Sequence, residues 1–280
     1  MLNKFLVIFL FSFFNLFFSQ QNVRFVYEYR FAIDSTKIDS TTTEIMCLDI
    51  SDQGSRFYSR NVFVNDSLKN VAMRKQGGNS VRVNFSNGKI KDVVKKLYPD
   101  YNVFMTTSLG LQKYSYEDNR KLDWIILGEK KMIGEFNAQK ATLNEFGREW
   151  EAWFCTDYPF QDGPHKFHGL PGIIIKIEDK KKGHSFSLKQ VKVLKPEESW
   201  PLETEKRKLK NIVNTSQEKY KTVFLEYRND PLKDWRTASS NGIRLQATSG
   251  GNPVSMKDIE SSAKNRLKKE NNILELDLVK

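Results

Sequence analysis

The chain has 280 residues, 39% of them apolar and 28% charged, with a formal net charge of +11. That content supports one large core without staples and excludes a disordered or membrane-embedded chain. With two cysteines and no CxxC, a disulfide scaffold, a metal ribbon and a thioredoxin-type redox pair are excluded as well.

Lys4 precedes an apolar run over residues 5–18, interrupted only by Ser12 and Asn15, and Ser19 and Gln20 follow. This is the layout of a secretory signal peptide over residues 1–20. The run falls short of the roughly 20 residues needed to span a bilayer, so an uncleaved anchor is the lesser alternative. No cysteine follows it for lipid attachment. Export to the periplasm or beyond argues against a nucleic-acid partner for the basic exterior. Anionic lipid head groups, acidic glycans or an acidic protein face fit better, and plain solvation fits best.

From residue 23 to 33 apolar side chains alternate (Val23, Phe25, Tyr27, Tyr29, Phe31, Ile33), which predicts a long half-buried strand. Strands follow over 44–50 and 56–64. Val81, Val83 and Phe85 before Asn87-Gly88 predict a hairpin with 89–97. Further strands are expected over 101–105, 111–116, 122–127, 133–143, 148–156, 173–177 and 185–193. In the last, the apolar set moves from Phe186 and Leu188 to Val191 and Val193, which predicts a bulge near Lys189-Gln190. After Pro196 the composition turns to Lys and Glu. Helices are expected over 216–227 and 255–271, with a linker over 239–253 between them. Ile273, Leu274, Leu276 and Leu278 suggest a short final strand.

The expected fold is mainly β (α+β): a curved antiparallel β-sheet or half-barrel with a helical, basic C-terminal part. The division is 1–20 signal peptide, 21–195 sheet domain, and 196–280 charged, partly helical extension.

Residues 150–177 stand out. Trp150, Trp153, Phe154, Tyr158, Phe160 and Phe167 sit beside Gly163-Pro164 and the run Gly169, Leu170, Pro171, Gly172, Ile173, Ile174. Gly172 after Pro171 predicts a tight turn with a positive φ at the glycine. The aromatics have two readings, core or the lining of an apolar ligand groove. Trp150, Trp153, Tyr158, Phe160 and Phe167 are the candidate ligand-binding residues.

This stretch resembles the GLPGLI family of exported bacterial proteins, with Ile173 in place of the family's second Leu. The likeness extends to Trp124, Gly134, Ala138-Gln139-Lys140-Ala141, Gly147-Arg148 and Ala152-Trp153-Phe154, and it departs at Asn137, where the family often has Cys. The resemblance implies a Bacteroidetes-type cell envelope and no chemistry. An architectural likeness to half-barrel lipoprotein carriers of the periplasm implies a concave sheet able to hold an acyl chain.

Catalytic signals are thin. His165 and His168 with Asp157 and Asp162 could hold a metal only if the segment were helical, and Gly163-Pro164 argues for a solvated loop. Cys155 beside either histidine reads as a buried thiol rather than a nucleophile. Cys47 and Cys155 are either one disulfide or two buried thiols. There is no G-x-S-x-G, H-E-x-x-H or Walker motif. The expectation is therefore a non-enzymatic envelope protein that binds an apolar ligand or a partner protein, without catalytic residues, metal or cofactor. A periplasmic hydrolase using the 157–168 loop and a purely structural interaction protein are the alternatives.

Overall fold

The computed structural model describes residues 22–64, 88–195, 212–241, 248–249 and 252–279. The expected signal peptide, the 81–85 arm of the Asn87-Gly88 hairpin and the Lys/Glu-rich stretch 197–211 lie outside the described residues.

Twelve strands form one open sheet: β1 (Val23–Ala32), β2 (Thr41–Ser51), β3 (Gly54–Ser59), β4 (Val93–Leu97), β5 (Asn102–Leu109), β6 (Gln112–Asp118), β7 (Ile125–Ile133), β8 (Phe136–Glu145), β9 (Arg148–Cys155), β10 (Ile173–Asp179), β11 (His184–Val193) and β12 (Ile212–Thr215). Their order across the sheet is β12-β6-β5-β4-β3-β2-β1-β11-β10-β9-β8-β7. Neighbours run antiparallel except at one edge, where β12 lies parallel to β6. The sequence is mostly a meander. The break comes where β11 returns to pair with β1, bringing the two halves of the sheet together at its middle.

The alternation in β1 explains that central place. Val23, Phe25, Tyr27, Tyr29 and Phe31 are all buried, and they meet Ile50, Leu48 and Met46 of β2 on one side and Phe186 of β11 on the other. Tyr29 stacks on Phe186 with centroids 4.1 Å apart and on Phe31 at 4.6 Å. Aromatic pairs of this kind add to what burial of their area supplies.

The expected bulge is present. Val26 pairs with Gln190 and Tyr27 with Leu188, so Lys189 is the extra residue. It keeps Phe186 and Leu188 on the same face as Val191 and Val193, all four opposite the odd-numbered residues of β1. The β8–β9 hairpin turns on Phe146 and Gly147, both at positive φ (59° and 70°), as a two-residue turn matched to strand twist requires.

Three expectations are corrected. The strand placed over 56–64 ends at Ser59, and 60–64 is a short helix. Of the strand expected over 89–97 only Val93–Leu97 forms, as β4, and it pairs with β3 and β5 as the inner strand of a meander. The tail is a 3-10 turn, Leu276–Val279, rather than a strand. Among the described residues three helices follow the sheet: α1 (Gln217–Asn229), α2 (Lys233–Ser240) and α3 (Met256–Lys269). Ser216 and Ser255 cap α1 and α3 by accepting from the amides of Lys219 and Asp258. Of the linker expected over 239–253, Ser239 and Ser240 belong to α2, and Thr248–Ser249 pairs with Asn252–Pro253. Among the described residues, no helix is long and apolar enough to cross a membrane.

Candidate functional site

Residues 156–172 join β9 to β10, and 162–167 are buried without a break. Phe167 and Leu170 are fully buried, and Phe167 packs edge-on against Trp150 (4.9 Å) and Phe146 (5.3 Å). Tyr158 and Phe160 stand edge-on to Phe25 at 5.3 and 5.9 Å. Trp153 is also buried, with the Lys131 ammonium 3.7 Å from its ring centre. The candidate ligand-binding aromatics are thus placed as packing: Trp150, Trp153 and Phe167 are buried, and Tyr158 and Phe160 are half-buried against the same core.

The loop folds back on itself through main-chain bonds. Gly169 N–H donates to Gln161 C=O, Gly172 N–H to Leu170 C=O, and Ile174 N–H to Asp162 C=O. The positive φ lies at Gly169 (92°), not at Gly172 as expected. Gly172 is needed for close approach instead: a Cβ there would sit 2.2 Å from the carbonyl oxygen of Cys155. Gly163 likewise leaves room for Ile174. The motif's glycines let a loop lie flush on strand backbone.

Buried charges pin the loop to the sheet. Lys96 of β4 and Asp162 have no solvent exposure, and their Nζ and Oδ1 atoms are 2.5 Å apart. Lys96 Nζ also donates to Gly163 C=O (2.7 Å), while Tyr98 O–H donates to Asp162 Oδ2 (2.5 Å). Burial pushes the Lys96 ammonium below its ordinary value, and Asp162 opposes that shift. From the facing strand, Tyr27 O–H donates to Ile174 C=O.

A second cluster ties the loop to the C-terminal tail. Lys166 Nζ lies 2.7 Å from Asp118, 3.0 Å from Tyr116 O–H and 2.8 Å from Glu275. His165 Nε2 is 3.0 Å from Glu275, and Arg120 reaches Glu275 (2.7 Å) and Asp277 (2.6 Å). Burial alone would raise the Glu275 carboxyl, but Lys166, His165 and Arg120 outweigh it and hold the carboxyl well below the ordinary range. Burial keeps His165 on the neutral side, so its N–H serves as the donor to Glu275.

A third cluster surrounds Arg148, which meets Asp179 (3.0 Å), Asn272 Oδ1 (2.8 Å) and the Leu274 carbonyl. His184 lies between Arg148 and Tyr29, its Nδ1 2.7 Å from the Tyr29 hydroxyl.

These contacts correct the solvated-loop reading. His165 and Asp162 are buried, and His168 stacks on Tyr101 at 5.4 Å with Nδ1 2.8 Å from Lys166 C=O. Asp162 is held by Lys96 and Tyr98, and one ring nitrogen of each histidine has a protein partner; no group of three His, Cys, Asp or Glu residues is arranged for a metal among the described residues. Cys47 and Cys155 are both free and buried. Burial pushes the Cys155 thiol up to about 11, the opposite of what a thiolate nucleophile needs. The ionic locks left no signature in the sequence. Lys96 and Lys166 look like any surface lysine, and only the inward parity of Lys96 with Val94 could have flagged it.

Residues 147–176 match a family model described as "Protein of unknown function (Porph_ging)". The match takes in β9, the loop and most of β10, which is the unit just described. No match is found among curated proteins. Among solved structures the chain is similar to PNGF-II in its C2 crystal form, with TM-score 0.50, 15% identity, and cover of 74% of this chain and 33% of that one. The P21 form gives 0.49, 14%, and cover of 74% and 34%. The chain therefore spans about a third of the length of those structures. The likeness is one of fold.

Proposed function

We propose that this is an exported, non-enzymatic module that binds a polypeptide by pairing an extended segment onto the free edge of β7. The observation that carries the reading is where apolar surface is exposed. The aromatics of the motif are packed inside, so an acyl-chain groove along them has little support. Ile125, Ile126 and Met132 of β7 are 64, 47 and 63% exposed, on a strand that among the described residues is an edge paired only with β8. An exposed strand edge with apolar side chains is a template for strand addition.

The edge is also selective. Pairing with β8 breaks between Ile126 and Lys130, and Lys130 and Lys131 follow the break. An irregularity and lysines discourage indiscriminate pairing. They suit a partner strand with acidic residues opposite the lysines and apolar ones opposite Ile126 and Met132. The apolar run over residues 5–18 supports export, and the buried loop charges favour a structural rather than a hydrolytic role for the motif.

The test is a photo-cross-linking side chain at position 132 in the full chain, irradiated in the cell envelope. The expected result is one polypeptide adduct, lost when Ile126→Lys or Lys130→Glu/Lys131→Glu is added. Absence of any polypeptide adduct, or an adduct indifferent to both changes, overturns the reading.

A further inference from the structure

We infer that the notch between the 162–168 loop, the end of β1 and the β8–β9 turn is a peptide-binding site for an Asn-x-x-Glu-x-Asp segment, filled in this chain by its own residues 271–279. The tail enters as a ligand would. It adds no strand to the sheet, and it is held by a short series of directed polar bonds. Asn272 donates its backbone N–H to Ile33 C=O (3.1 Å) and its side-chain amide to Ala32 C=O (2.8 Å). Its side-chain oxygen accepts from Arg148, and its carbonyl lies 2.9 Å from His184 Nε2. Glu275 fills a pocket of three nitrogen donors, Lys166, His165 and Arg120. Leu276 N–H donates to Phe146 C=O, and Asp277 returns to Arg120.

The receiving groups belong to the sheet and loop. Arg148, His165, Lys166 and His184 are buried, and each points a polar atom at the tail. Nearly every position is read. Asn272 is fixed by two donors and two acceptors, Glu275 by its charge, and the backbone by the β8–β9 turn. The apolar side chains contribute less, since Ile273, Leu274, Leu276 and Leu278 are only half-buried, Leu274 and Leu278 against the core. These are directed, charge-assisted bonds to groups of the sheet and loop, so a separate segment with the same groups at the same spacing can make them too. In cis the covalent link gives the tail an effective concentration in the millimolar range, so a free peptide competes poorly until the tail's own contacts are weakened. This inference stands apart from the proposal for β7, because it concerns a different surface and different residues.

The test uses the full chain. A labelled peptide of residues 270–280 is titrated into the Glu275→Ala protein, whose own tail has lost its anchor, and into the unaltered protein. The expected result is saturable binding to Glu275→Ala, at least ~10-fold weaker binding to the unaltered chain, and ~10-fold or greater loss when the peptide itself carries Glu275→Ala. Equal binding of both peptides, or no binding to a Glu275→Ala chain that melts cooperatively, overturns the inference. Should that variant not fold, hydrogen exchange on the unaltered chain decides. The Asn272 and Leu276 amides should exchange by local opening, ~10-fold or more faster than those of β1. Exchange only through global unfolding overturns the inference.

Discussion

Lys96 and Asp162 face each other inside the protein: Nζ to Oδ1 is 2.5 Å, and neither side chain is exposed. The pair joins the middle of the sheet to the centre of the loop that carries the Gly-Leu-Pro-Gly turn. A buried pair offers modest net stability when intact, but losing one partner strands a charge. Lys96→Met and Asp162→Asn should each destabilise by about 3–5 kcal/mol in denaturant unfolding. The double variant should cost clearly less than the sum. Additive losses would show that the two groups do not depend on one another.

The two motif glycines should fail for different reasons. Gly172→Ala places a methyl 2.2 Å from Cys155 O, backbone that cannot give way. The expected loss is about 3 kcal/mol, at the top of the overpacking range. Gly169→Ala meets nothing nearer than Trp124 at 3.9 Å and suffers only the left-handed φ of 92°, a cost of about 1–2 kcal/mol. Thermal unfolding of the two variants should rank them in that order.

Acid should unfold the protein from an unusually high pH. His184 is held neutral by burial and by the Arg148 charge, down to about 3. The unfolded chain takes up that proton near 6.5, so the unfolded state binds more protons than the native one between those values. Stability therefore falls as pH drops from about 6.5 towards 3, by ~1.4 kcal/mol per pH unit for each such histidine. His165 and His168 shift in the same direction through burial. Glu275, with its depressed carboxyl, adds a loss of the same sign below its ordinary 4.5. Unfolding free energy measured at pH 7, 6 and 5 should show the slope. His184→Gln should lower stability at pH 7 and flatten the slope by one proton. An unchanged slope would contradict the assignment.

The tail anchor should be electrostatic at its core. Glu275→Gln keeps the shape, but it removes the charge that Lys166 and Arg120 face and turns one of two acceptor oxygens into an NH2 among nitrogen donors. It should destabilise by about 3 kcal/mol, close to the cost of breaking a buried pair. Leu278→Ala, at a half-buried position, should cost about 1 kcal/mol. Chemical denaturation of the two single variants checks the ranking.

The sequence was most legible where a period or a cap carries the information. The odd-numbered aromatics of β1, the slip at Lys189 and the caps Ser216 and Ser255 are local signals, and local sterics or one hydrogen bond enforce each. It was least legible where distant residues decide. Lys96 meets Asp162 sixty-six positions away, and His165 meets Glu275 one hundred and ten positions away, so no window on the chain shows either as buried. Ser59 ends β3, although apolar residues continue to Val64, because the segment closes into a helix. Gly172 was recognisable as a required glycine. The reason it is required, the carbonyl of Cys155, exists only once β9 and β10 are side by side.

The central claim is that the Gly-Leu-Pro-Gly loop is an integral part of the folded sheet. Native-state hydrogen exchange of the Gly169, Gly172 and Ile174 amides tests it most directly, against the amides of β1. All three loop amides donate to main-chain carbonyls. They should exchange with the same free energy as β1, within roughly 1 kcal/mol, through opening of the whole sheet. Exchange orders of magnitude faster, through a local opening that leaves β1 protected, would contradict it.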